Sequence, residues 1–203
     1  KGQGSSIFVV GKSGVGKTSL VQSLRPAANA ANARFLQGKF KQSQLDRPLG
    51  ALSQALDQLC LDLFNENARG QEDWRSLLSS EFGDDIGILT GLMPNLQALL
   101  ATPPEVIDFS PINTTQRVHG LLLAFISMVA SSNRPLVLFL DDLQWADPAS
   151  LDFLESLRGK TGIDGFVLIG AYRDELDAVE HSLWPIQNRI QNRIQNRIQN
   201  RIQ

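Results

Sequence analysis

Eight consecutive residues, Gly11-Lys12-Ser13-Gly14-Val15-Gly16-Lys17-Thr18, constrain this chain more than any other stretch, because they fill every specified position of the pattern G-x-x-x-x-G-K-[ST]. Glycines let the backbone turn tightly with its N–H groups pointing inward, which makes a ring of donors for a phosphate unobstructed by side chains. Lys17 adds a compact positive charge for the β and γ oxygens, and Thr18 offers a hydroxyl to Mg²⁺. A helix opening here also contributes the partial positive charge of its N-terminus. The binding residues expected from the pattern are Gly11, Lys12, Ser13, Gly14, Val15, Gly16, Lys17 and Thr18, with Ser19 next in line. A chance match in a chain this long arises on the order of once in a hundred, so the flanking context matters. That context agrees: Ser6 to Val10 is a short β-branched apolar run suited to a buried parallel strand, and a helical pattern starts at Lys17.

Further along, short apolar runs alternate with helical patterns. Ala33 to Phe40 reads as a second strand, although Gly38 counts against it. Helices dominate from Leu49 to Leu100, with Leu52, Leu56, Leu59 and Leu63 on one face. A long helix is predicted over about 115–131, buried strands over 136–140 and 166–171, and a helix between them opening at Asp147-Pro148. The first helix is expected to fade near Arg25-Pro26. This alternation predicts an α/β domain, three layers with a mostly parallel sheet flanked by helices. The domain is expected to span 1–185.

The tail is different material. Ile-Gln-Asn-Arg repeats with period four over 186–203, placing isoleucine at 186, 190, 194, 198 and 202. Each repeat overshoots a helical turn by about 40°, so the isoleucines wind around the axis and form no steady apolar face. A disordered or loosely helical low-complexity extension and a partner-binding helix both remain open for it.

Parallel sheets present their ligand sites at the carboxyl ends of the strands, and 136–140 delivers Asp141 and Asp142 there. Asp141 is expected to hold Mg²⁺ together with Thr18, and Asp142 to orient or polarise an attacking water. Arg173, after the next strand, is expected to reach the same edge and touch the γ-phosphate. Lys17, Asp142 and Arg173 form the expected catalytic set. Plainer readings stand beside these: two solvated acids at a strand end, and a surface arginine paired with Asp174 or Glu175. Asp147 reads as a helix cap rather than a catalyst, and Trp145, Trp74 and the phenylalanines as packing. His119 and His181 lack neighbours at ligand spacing and are assigned no metal.

Charge and composition exclude other classes. The 19 Lys+Arg include the tail's four arginines; without them 15 face 21 Asp+Glu, a formal charge of −6, which argues against a nucleic-acid surface. The longest apolar stretch, Leu121 to Ala130, contains Ser127 and falls short of a membrane span. Cys60 is the single cysteine and reads as a core thiol, and with no export signal in view a reducing cytoplasm is the expected setting.

At this point the chain resembles the STAND-type ATPases, the signal-transduction branch of the AAA+ relatives found in MalT-like regulators and multidomain sensor kinases. The residues that carry the likeness are V-V-G-K-S-G-V-G-K-T (9–18), R-F-L-Q-G-K-F-K-Q (34–42), L-V-L-F-L-D-D-L-Q-W-A-D-P-A-S (136–150) and L-I-G-A-Y-R-D-E (168–175). The resemblance implies a five-stranded parallel sheet with the phosphate-loop strand central, ATP as the nucleotide, and a switch in which ATP promotes an active, often self-associating form. An upstream adenine-contacting segment and a C-terminal helical lid, usual in such proteins, are not recognisable. The expected function is an Mg²⁺-dependent, ATP-hydrolysing regulatory module working with other domains of a larger signalling protein. The alternative is an ATP/ADP-binding switch or scaffold without turnover, and a phosphotransferase with an acceptor of its own ranks third.

Overall fold

A computed structural model describes residues 4–44, 47–100, 114–159 and 163–173. Within them the chain runs β1 (Ser5–Gly11), α1 (Lys17–Gln22), α2 (Arg25–Ala30), β2 (Arg34–Lys39), α3 (Gly50–Phe64), α4 (Ala68–Phe82), α5 (Ile86–Leu92), α6 (Thr114–Val129), β3 (Leu136–Asp141), α7 (Pro148–Gly159) and β4 (Phe166–Arg173). The four strands pair in parallel in the order β1-β4-β3-β2. Parallel neighbours require crossover connections, and the helices provide them, so the expected α/β layering is what the fold adopts.

Strand parity divides the core. Leu136, Leu138 and Leu140 of β3 and Phe166 and Leu168 of β4 join a large cluster with α3, α5, α6 and α7. The alternate residues Phe139, Ile169 and Ala171 pack on the other face with Val21 of α1. The leucine row read from the sequence is the heart of the larger cluster: Leu52, Leu56, Leu59 and Leu63 are all buried, each contributing about 1.5–3 kcal/mol relative to exposure. Cys60 lies in the same cluster, and burial pushes its thiol pKa up, in keeping with an inert core thiol.

Three expectations change. Ser6 to Val10 is a strand but not a buried one: β1 lies at the sheet edge among the described residues, and Ile7 and Val10 are 51% and 42% exposed. The five-strand order with a central phosphate-loop strand therefore meets four described strands with β1 outermost. Arg25-Pro26 begins a helix where the reading expected one to fade. Ser23 Oγ bonds back to the Leu20 carbonyl, α1 stops, and Pro26 sits in the first turn of α2, where its missing N–H costs nothing.

Gly38 does not argue against β2. A Cβ there would lie 2.5 Å from the Ala51 carbonyl oxygen, so glycine is what lets α3 cross the strand at backbone distance. The 186–203 repeat, the 1–185 boundary, His181, Asp174 and Glu175 lie outside the described residues. Among the described residues no helix is long and apolar enough to cross a membrane.

Candidate functional site

The carboxyl ends of β1, β3 and β4 bring the expected residues to one edge. Between β1 and α1, Gly14 and Gly16 have φ of +79° and +90°, the left-handed region that side chains disfavour, and a Cβ at either would meet nothing within 4 Å. The glycines are therefore required by backbone conformation and not by crowding. Gly16 directly precedes α1. Lys17 Nζ donates to the carbonyls of Gly11 (2.8 Å) and Lys12 (2.9 Å), folding its ammonium back over the loop with one donor still free.

Across the edge, Thr18 Oγ1 donates to Asp141 Oδ2 at 2.7 Å, joining residues 123 apart in sequence. The hydroxyl keeps its oxygen lone pairs, and Asp141 Oδ1 accepts from the Asp142 N–H at 3.0 Å. Asp141 is 1% exposed, so its carboxylate is held by these donors in place of water.

Asp142 turns out of β3 with φ +55°, an uncommon conformation for a residue other than glycine. It aims its carboxylate into a ring of donors. Lys39 Nζ is 3.1 Å from Oδ2, Gln144 Nε2 donates to Oδ1 at 3.0 Å, and Arg173 Nε stands 3.9 Å from Oδ1. Burial pushes the Asp142 pKa up, but the hydrogen bonds from Gln144 and Lys39 and the charges of Lys39 and Arg173 outweigh it and hold the carboxyl below its ordinary range. The group is a firmly ionised acceptor.

Sequence reasoning missed Lys39 and Gln144. Lys39 ends β2 opposite Asp141 in the parallel register, so knowing that β2 neighbours β3 would have found it. Gln144 lies in the short 3₁₀ turn 143–145, and its Oε1 also accepts from the Arg173 N–H at 3.2 Å, tying the ends of β3 and β4 together.

Asp147 is the cap that the sequence suggested, and more. Its Oδ1 accepts from Ser150 N (2.9 Å) and from Leu49 N (3.2 Å), and its Oδ2 from Ser150 Oγ (2.6 Å). Leu49 has φ +58°, a strain of roughly 1–2 kcal/mol that this charge-assisted bond helps to offset. The site-side turn after β3 is thereby pinned to the start of α3. Trp145 is partly buried against the core, a packing residue. His119 is buried, edge-on to the Phe153 ring, with Nε2 unpartnered among the described residues.

Among the described residues no three of His, Cys, Asp and Glu gather to hold a metal. Mg²⁺ makes no such demand: it is held by one or two carboxylates, a hydroxyl, waters and the phosphates themselves. Thr18 and Asp141, bonded to each other and facing the loop, fit that donor set.

Known proteins resemble this chain over most of its length. Similar proteins include the Dictyostelium discoideum "Hybrid signal transduction histidine kinase G", 33% identical over 157 residues, 77% of this chain and 4% of that protein. The Candida albicans "Histidine protein kinase 1" is 27% identical over 160 residues, 71% of this chain and 6% of that protein. The chain thus spans a small fraction of the curated relatives it matches. No solved structure matches it. The AAA ATPase domain family matches residues 1–169, most of the chain and all the residues of the site up to β4's middle, and the chain belongs to that family of nucleotide-binding ATPase domains.

Proposed function

We propose that this chain is the Mg-ATP-binding, ATP-hydrolysing regulatory module of a larger cytoplasmic signalling protein, of the STAND type. The observation that carries the reading is the 2.7 Å bond from Thr18 Oγ1 to Asp141 Oδ2, which joins the phosphate loop to the acidic strand end. Similarity to two histidine kinases supports a signalling setting in which other domains are the partners.

In this reading the amides of residues 11–18 and Lys17 hold the phosphates of ATP. Thr18 and Asp141 would hold a magnesium ion, which would supply positive charge to the phosphates. Asp142 orients a water for in-line attack on the γ-phosphorus; the water oxygen forms the new P–O bond, and the bond to the β,γ-bridging oxygen breaks with its electron pair passing to ADP. The lowered pKa of Asp142 suits it to align the water rather than retain its proton, which leaves to phosphate or solvent. In this reading Arg173, 3.9 Å from Asp142 Oδ1, turns to the γ-phosphate.

The second reading, a binding-only ATP/ADP switch, draws on one observation: Asp142 is already engaged by Lys39 and Gln144. Phosphate release by the parent chain and Asp142→Asn, with and without Mg²⁺, separates the two. Mg-dependent release lost in the variant supports hydrolysis; negligible release by both supports the switch. Nucleotide retention by Lys17→Ala equal to the parent's would overturn the site itself.

A further inference from the structure

We propose that Lys39 is a resident counter-ion of the Asp141/Asp142 pair, a positioning residue that sets how much Mg²⁺ the site requires. The inference rests on the Mg-ATP reading of the site and deepens it. Lys39 closes β2, and its parallel register opposite Asp141 brings its ammonium to the acids. Nζ is 3.1 Å from Asp142 Oδ2 and 3.9 Å from Asp141 Oδ2. That second oxygen is the one to which Thr18 donates, so the lysine and the expected metal-binding donors converge on one carboxylate.

The two ends of this contact are unlike. The Asp141 side chain is 2% exposed, whereas that of Lys39 is 53% exposed. A buried carboxylate cannot leave its site and needs a compensating charge, while a half-solvated lysine gives up its partners at little cost. Asp141 therefore stays and Lys39 is free to move. The ammonium offsets one of the pair's two negative charges while no metal is bound. It then competes with the incoming ion, and once displaced it remains at the phosphate edge as a further cation. Two consequences follow together: the lysine supports ATP binding without Mg²⁺, and it raises the Mg²⁺ concentration needed to reach the metal-bound state. Under water-like screening, one unit charge a few ångströms from a divalent ion changes its affinity by about tenfold.

The test follows fluorescence of mant-ATP bound to the 203-residue chain across a Mg²⁺ series and in EDTA. Lys39→Gln is expected to lower the half-maximal Mg²⁺ concentration by about tenfold and to weaken binding in EDTA, with Lys39→Arg close to the parent. An unchanged or raised half-maximal Mg²⁺ concentration in Lys39→Gln overturns the proposal. Lys17→Ala separates this failure from a deeper one. If it binds mant-ATP as the parent does, the phosphate-loop reading fails; if it loses binding while Lys39→Gln leaves the Mg²⁺ dependence untouched, only the role of Lys39 fails.

Discussion

β2 carries a cation at each end, and the two ends meet carboxylates under opposite conditions. At its start, Arg34 is 8% exposed and binds Glu66 Oε1 at 2.7 Å. Arg134 takes the same oxygen at 2.7 Å, and Trp74 Nε1 donates to Oε2 at 3.1 Å. At its end, the half-exposed Lys39 shares two acids with a threonine, a glutamine and a distant arginine. Glu66 takes donors from β2, α4 and the turn before β3, so its carboxylate ties the α3–α4 junction to the sheet. Asp141 and Asp142 are held by a threonine hydroxyl, a backbone N–H, a glutamine and a half-exposed lysine at the phosphate-loop edge. The difference teaches that a charged cluster is structural when a buried cation anchors it at the amino end of the sheet, and available for chemistry when its cation is solvated and faces a phosphate loop.

The largest effect that separates the two ends is on turnover. Asp142→Asn is expected to lower ATP hydrolysis by about a hundredfold or more while leaving thermal stability near the parent's, checked by phosphate release and a melting curve. A large loss of stability instead would make Asp142 a structural acid like Glu66. Next in size, Glu66→Ala leaves two arginines facing an uncompensated pocket and is expected to cost about 2 kcal/mol in denaturant unfolding without altering ATP affinity. A change in ATP affinity of the kind caused by Lys17→Ala would erase the contrast.

The pH dependence of the same pair comes third. Burial raises the Glu66 pKa, but the bonds from Trp74 and Arg34 and the two arginine charges bring it below its ordinary value. A depressed folded-state pKa contributes stability that is complete above the unfolded value of about 4.3 and is lost as pH falls through the folded value. Melting curves of the parent and Glu66→Gln should therefore converge as pH drops below that range. The smallest effect belongs to His119, whose pKa burial lowers despite Asp152 and the Ala149 backbone. Its neutral form is the one the fold accepts, so stability falls as pH drops below about 6.5, and His119→Leu should flatten that slope in melts between neutral and mildly acid pH.

Much of the site was legible in the residues themselves. The loop 11–18 and the acids after β3 follow from local rules: glycine where φ is positive, a lysine and a threonine at fixed offsets, carboxylates directly after a buried apolar run. Leu52, Leu56, Leu59 and Leu63 announced their helix face for the same reason, since period alone decides which side is apolar. Three features were not legible. Gly38 was read as a weakness because the helix that crosses it belongs to another part of the chain. Asp147 was read as a cap, and its bond to Leu49 was invisible because the partner lies 98 residues away. The apolar run of β1 predicted burial, although composition cannot tell an edge strand from a central one.

What the amino-acid order determined by itself is the phosphate loop, since its shape depends on the dihedral freedom and spacing of adjacent residues. What only the tertiary structure decided is the company Asp142 keeps. Gln144 is a neighbour two residues along the chain, but Lys39 and Arg173 come from two other strands, and only the order β4-β3-β2 brings their ends to one carboxylate. Strand order arises from packing across the whole sheet, a long-range property that no local pattern encodes.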